Sequence, residues 1–121
     1  MNHPIDASCH CGAIQMTLLN PPDHVTECNC SICRRYGVLW AYYVPRDVTI
    51  RAEPRATDLY AWGEHTLEFH RCRSCGCVTH WSPVDSTKQR MGINARLLDP
   101  VILRSLRIRK LDGAVTFQYL R

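Results

Sequence analysis

Seven cysteines carry the strongest chemical signal in this 121-residue chain. They fall in three tight groups, Cys9-His10-Cys11, Cys28-Asn29-Cys30-Ser31-Ile32-Cys33 and Cys72-Arg73-Ser74-Cys75. Thiols one or two residues apart make strained disulfides but good chelating arms for a tetrahedral ion. The spacing therefore predicts metal, with zinc as the expected ion; a disulfide framework or redox-active thiols are the alternatives.

The groups divide by ligand number. Cys9 and Cys11 with Cys72 and Cys75 supply four thiolates, enough for a closed structural zinc site. Gly76, just after the second arm, suits a zinc knuckle in which backbone amides turn toward sulfur. Cys28, Cys30 and Cys33 supply three thiolates with no fourth cysteine nearby. Three protein ligands plus one exchangeable position is the arrangement of a catalytic zinc. A thiol bound in that position loses its proton and becomes a nucleophile toward a carbonyl carbon. The competing reading is a second closed site completed by Cys77 or a histidine. Cys77 itself is either a small buried hydrophobe, an extra or alternative ligand, or a redox-active thiol. His70 and His80 flank the second arm, and His10 lies between ligands; each reads as a structural histidine before a functional one.

Charge points away from nucleic acid. The formal net charge of +4 becomes about +1 once seven thiolates and two divalent ions are added, since 4 − 7 + 4 = 1. The densest basic run, Arg104, Arg107, Arg109 and Lys110, alternates with Leu106, Ile108 and Leu111 and reads as the wet face of a strand. No apolar run approaches the roughly 20 residues of a membrane span. Residues Met1 to Ser8 lack a basic start followed by an apolar stretch, so the expected location is cytoplasmic, with thiols kept reduced.

The elements that must position these cysteines read as strands. Candidates are Ala13–Leu19, Val38–Val44, Val48–Ala52, Asp58–Trp62, Leu67–Cys72, Cys77–Trp81 and Gln89–Ala95. A terminal hairpin is expected over Ser105–Lys110 and Ala114–Leu120, turning on Asp112-Gly113. Helical turns are expected only at Ser31–Tyr36 and Asp99–Leu103. The fold class is all-β, in one domain over residues 1–121. Tyr36, Trp40, Tyr42 and Tyr43 either wall a pocket or form plain core.

Ser8-Cys-His-Cys-Gly12, Cys28-Asn-Cys-Ser-Ile-Cys-Arg-Arg-Tyr-Gly37, Cys72-Arg-Ser-Cys-Gly76 and Gly92-Ile-Asn-Ala-Arg-Leu-Leu-Asp-Pro100 follow one another in order. This resembles the glutathione-dependent formaldehyde-activating enzyme family, which shares its domain with centromere protein V. The resemblance implies an Mss4-like fold of several small coiled antiparallel sheets around zinc sites. It also implies a carbon–sulfur lyase, joining glutathione and formaldehyde reversibly. Carried over residue by residue, the structural zinc belongs to Cys9, Cys11, Cys72 and Cys75, and the catalytic zinc to Cys28, Cys30 and Cys33. Arg34 and Arg35, beside the open site, either hold the carboxylates of a glutathione-like ligand or stay solvated. Partners are then a small thiol and an aldehyde, with no nucleic acid and no membrane. A non-enzymatic zinc module with a protein-partner surface is the competing class.

Overall fold

The structure, a computed structural model, describes residues 1–121 and is all-β, with eleven strands and two short helices. Strands β1 (Ile5–Ser8), β2 (Gln15–Leu18) and β5 (Val48–Arg51) form a small antiparallel sheet in the order β1-β2-β5. The larger sheet contains β3 (His24–Cys28), β4 (Trp40–Tyr43), β6 (Thr57–Tyr60), β7 (Leu67–Cys72), β8 (Val78–Pro83), β9 (Met91–Asn94), β10 (Arg107–Asp112) and β11 (Gln118–Tyr119). Its order is β11-β10-β3-β4-β9-β8-β7-β6. The helices are α1 (Cys33–Tyr36) and α2 (Pro100–Ser105). No helix is long and apolar enough to cross a membrane.

The two-residue period of strands divides the large sheet into two faces. On one face, Tyr42 opposes Gly92, Gly92 opposes Trp81, and Trp81 opposes Phe69. On the other, Ala41, Ile93, His80 and His70 line up across the same strands. The second face packs against the small sheet, where Ala41 and Ile93 meet Ala7, Met16 and Leu18 in the main core. Full burial of side chains such as Met16, Leu18 and Ile93 contributes about 1.5–3 kcal/mol each. The first face carries a smaller, aromatic cluster of Trp40, Phe69 and Trp81 together with Cys28 and Cys33. The main core and the aromatic cluster with Cys28 and Cys33 are thus back to back, sharing one sheet.

All ladders are antiparallel except β10 with β3, which runs in parallel from Arg107 opposite His24 to Leu111 opposite Cys28. This ladder brings the C-terminal segment alongside the middle cysteine group. β1 and β3 lie outside the strands expected from sequence, because four- and five-residue stretches such as IDAS and HVTEC carry little periodic signal. The tail forms a hairpin, but Asp112-Gly113 is not its tight turn. Asp112 belongs to β10, β11 has only two residues, and the left-handed position is Phe117 (φ 58°). The Asp112 carboxylate accepts from Thr116 Oγ1 at 3.0 Å and from Asn29 Nδ2 at 3.1 Å, which holds a wider loop open. The basic run departs from a simple wet face as well. Arg104 lies in α2, and Ile108 is 50% exposed while Leu111 is buried, because both sides of the first half of β10 meet solvent.

Candidate active site and metal centres

The first cysteine group joins the two sheets. Cys9 and Cys11 sit in the loop between β1 and β2, Cys72 ends β7, and Cys75 lies in the loop between β7 and β8. Each arm is a knuckle closed by a left-handed glycine, Gly12 and Gly76, both at φ 82°. A residue with a side chain would be strained there. Backbone amides point inward: Ile14 N–H donates to Cys9 Sγ at 3.3 Å, and Cys75 N–H to Cys72 Sγ at 3.4 Å. The four sulfurs lie within 4.8 Å of one another, with 3.7 Å between Cys9 and Cys11 and 3.6 Å between Cys11 and Cys72. A tetrahedral zinc with Zn–S near 2.3 Å has S···S edges of about 3.8 Å, so these residues fit the ion. Backbone amides, that of Cys77 foremost, lower the Cys75 thiol to about 5, and that of Cys75 lowers Cys72. Cys11 is instead pushed up to about 11: the Ala13 amide favours its thiolate, but Cys72, burial and Cys9 outweigh it. Cys72 and Cys75 are thus prepared for negative charge by backbone amides. Only 25 of 121 residues are buried, so a metal held between the sheets would add to a modest core.

The second group lies on the opposite face. Cys28 ends β3, Cys30 follows in the loop, and Cys33 opens α1, which ends at left-handed Gly37. Their sulfurs also lie within 4.8 Å of one another. No histidine, cysteine or carboxylate completes the group as a fourth ligand. Cys77 belongs to neither set and packs, half-buried, against the main core. Cys28 is lowered to about 6, chiefly because the Cys33 thiol donates to its sulfur. Cys33 is pushed far upward by giving that hydrogen bond and by burial. Cys28 and Cys33 therefore share one negative charge readily and carry two only beside a cation. Trp40 Nε1–H donates to Cys33 Sγ at 3.3 Å, an outer partner that fixes the ligand's orientation. Gly113, from the β10–β11 loop, lies so close over Cys28 Sγ that a Cβ there would collide with it.

A cavity of about 720 Å³ opens onto these three cysteines. Thirteen of its 18 lining residues are hydrophobic, and its walls include all three tryptophans of the chain, Trp40, Trp62 and Trp81. Trp40 and Tyr42 line it, whereas Tyr36 packs on Phe69 beside it with ring centroids 5.6 Å apart. Tyr43 points to the other face, donating to the Asn20 carbonyl at 2.7 Å. Arg34 and Arg35 are exposed on α1 and do not line the cavity; Arg35 donates to the Ser31 carbonyl at 2.8 Å. The arginine in the wall is Arg90, whose guanidinium lies 4.0 Å over the Tyr42 ring. Arg90, Trp62, Phe117 and Tyr119 carry no local motif, and Gly113 carries only a turn signal. They reach the site only through strand order, so nothing in their own neighbourhood in sequence marks them as part of it.

His70 and His80 lie stacked on the face away from the cavity, with ring centroids 4.0 Å apart. Their ring nitrogens bond to Thr57, Ser82 and Thr79 hydroxyls. Burial lowers His70 and takes His80 down to about 3, so both stay neutral and structural.

An all-β frame holding one group of four thiols and one of three beside a cavity defines a protein with two sites able to hold metal, in keeping with zinc. The profile of the family described as glutathione-dependent formaldehyde-activating enzyme matches residues 4–109, and the chain belongs to that family. Among solved structures, the crystal structure of a Rhodobacter sphaeroides protein, a structural genomics target, is similar with a TM-score of 0.70 and 30% identity. The match covers 86% of this chain and 99% of that one. No curated protein matches the sequence significantly.

Proposed function

We propose that the protein is a zinc-dependent carbon–sulfur lyase acting on adducts of a small thiol with formaldehyde or a related aldehyde. The observation that carries this reading is the group of Cys28, Cys30 and Cys33, which lacks a fourth protein ligand where it borders the cavity. A zinc ion held there would keep a substrate thiol deprotonated at neutral pH and so supply a sulfur nucleophile. Cys9, Cys11, Cys72 and Cys75 would hold a second, structural ion.

In the synthetic direction a carbon–sulfur bond forms, the carbonyl π bond breaks, and the proton lost from the thiol ends on oxygen. The reverse reaction cleaves the same bond. The chain's own part is mainly positional. Trp40 and Gly113 fix the orientations of Cys33 and Cys28, and Phe69 and Trp81 exclude water from one side. Burial pushes the Tyr42 hydroxyl up to about 12, so it stays protonated and can donate a hydrogen bond to a developing oxygen. In this reading Arg90 meets a carboxylate inside the cavity. Arg34 and Arg35 serve only groups that extend past its rim. A reducing, cytoplasmic setting would keep the seven thiols available.

Cobalt(II) substitution tests the reading, because its ligand-field bands report each thiolate site separately. A small thiol such as glutathione or 2-mercaptoethanol should change the bands of one of two bound ions. Cys30→Ser should abolish that change. Bands unmoved by a panel of thiols would leave a non-enzymatic zinc module.

A further inference from the structure

The cavity wall bears on which adduct fits, and this inference rests on the lyase reading above. Two segments form its outer rim. One is the β6–β7 loop, with Trp62, Gly63 and Glu64; the other is the C-terminal hairpin, with Gly113, Phe117 and Tyr119. The rim residues of the hairpin, Gly113, Phe117 and Tyr119, lie beyond the family match, which ends at residue 109. It is nevertheless tied firmly to the cysteine loop. Asn29 N–H donates to the Leu111 carbonyl at 3.2 Å, Asn29 Nδ2 to Asp112 Oδ1 at 3.1 Å, and Ala114 N–H to Asn29 Oδ1 at 3.0 Å. The residue between two cluster cysteines thus sets where Phe117 stands.

Phe117 is costly where it is. It is 74% exposed, and its φ of 58° is a left-handed conformation that a bulky side chain rarely adopts. Trp62 is 43% exposed, in a loop with two further left-handed residues, Gly63 (φ 62°) and His65 (φ 58°). Strained backbone and exposed aromatic rings at the mouth of one cavity are features retained at ligand-binding sites. Charge inside is sparse: Arg90 and Glu64 are the only charged residues of the wall besides the cysteines. Arg90 takes part in no ion pair.

Glutathione bears two carboxylates, one ammonium and two peptide groups. Arg90 and Glu64 match one carboxylate and the ammonium at most. The second carboxylate and the two peptide groups would lose water against walls whose other side-chain partners, apart from the cysteines and tryptophans, are the hydroxyls of Tyr42, Thr66 and Tyr119. A phenyl or similar apolar group, by contrast, stacks on such walls, and one carboxylate pairs with the guanidinium. We infer that the preferred adduct carries an aromatic or other bulky apolar group and a single carboxylate, held between the rim aromatics Trp62 and Phe117 and the guanidinium of Arg90. The apolar acid enters with either the thiol or the aldehyde.

Because every tryptophan of the chain lines the cavity, intrinsic fluorescence excited at long wavelength reads binding without any turnover. Zinc-loaded protein is titrated with 3-phenylpropanoate and with S-methylglutathione, neither of which offers a thiol. The phenyl acid should bind at least about tenfold more tightly. Arg90→Gln should weaken it about tenfold. Phe117→Gly removes the ring while relieving the left-handed strain, so it should weaken binding without lowering the melting temperature. Equal or tighter binding of S-methylglutathione, no binding of the phenyl acid, or indifference to both substitutions would overturn the inference. Exchange of formaldehyde with a mercapto-phenylpropanoate and of 2-mercaptoethanol with 4-formylbenzoate then distinguish the thiol from the aldehyde as source of the acid. Binding as expected with no exchange for any pair would remove the lyase reading and leave the ligand class standing. Exchange with glutathione and formaldehyde but no phenyl-acid binding would do the opposite.

Discussion

Gly113→Ala is a one-methyl change whose effect follows from the position of a single sulfur. Gly113 does not adopt a left-handed φ, so alanine meets no backbone penalty. By narrowing the unfolded ensemble, the substitution alone would stabilise the chain by about 0.4–1 kcal/mol. The new Cβ, however, would collide with Cys28 Sγ and stand 3.4 Å from the Cys30 Cβ. Without metal, Cys28 can rotate away from the methyl group. With metal it cannot leave its place without releasing the ion. The clash therefore falls on ion binding, where overpacking costs about 1–3 kcal/mol, or roughly 5- to 150-fold in zinc affinity. Competition with a chromophoric chelator should show one of two ions loosened by that factor and the other unchanged. Thermal melts of the metal-free protein should be unchanged or slightly raised. Wild-type affinity for both ions in Gly113→Ala would refute the placement of Gly113 over the cluster.

Cys72→Ser should impair folding, because the group it belongs to joins the two sheets; Cys30→Ser should stay folded and lose only the ion beside the cavity, as circular dichroism and metal analysis will show. Equal unfolding of both would make both sites structural. Trp40→Phe keeps a ring but removes the hydrogen bond to Cys33 Sγ, and should weaken zinc at that site about 10- to 100-fold in the same chelator competition. An unchanged affinity would deny that bond a role. His80, held at about 3 chiefly by burial, stays neutral in the fold but protonates near its ordinary value when unfolded. Its contribution is complete above about pH 6.5 and is lost as pH falls toward 3, at up to about 1.4 kcal/mol per pH unit. Urea melts from pH 7 to 4.5 should accordingly lose stability less steeply in His80→Gln than in the wild type, the comparison at each pH cancelling proton-driven metal loss common to both.

The cysteine groups were legible in the sequence because chelation is local: two arms of two residues and one of three already imply two sets of ligands. That Cys11 and Cys72, 61 positions apart, should meet follows from ligand counting, and their sulfurs do come together. Strands with aromatic or β-branched alternation, such as Leu67–Cys72 and Trp40–Tyr43, were legible for the same local reason. The cavity was not. Its walls come from β4, β7, β8, the β6–β7 loop and the terminal hairpin, and only the parallel β3–β10 ladder brings the last of these to the cysteines. Asp112-Gly113 shows how tertiary contacts override a short turn signal: the aspartate is engaged by Asn29 and Thr116, and the glycine is required for its small size rather than for its φ. Arg34 and Arg35 adjoin the cysteines in sequence, yet α1 carries them away from the cavity, while Arg90, 57 residues beyond Cys33, reaches its wall.

The central claim is that the cavity-side cysteine group supports making and breaking of a carbon–sulfur bond. Exchange NMR with carbon-13 formaldehyde and its thiol adduct measures that directly, with the fully zinc-loaded protein and thiols that include glutathione and a mercapto-phenylpropanoate. The account predicts exchange faster than the uncatalysed background for at least one thiol, abolished by Cys30→Ser and retained when the thiol set is unchanged at Cys77→Ser. Exchange at the background rate for every thiol and aldehyde tried, with both ions in place, would contradict it.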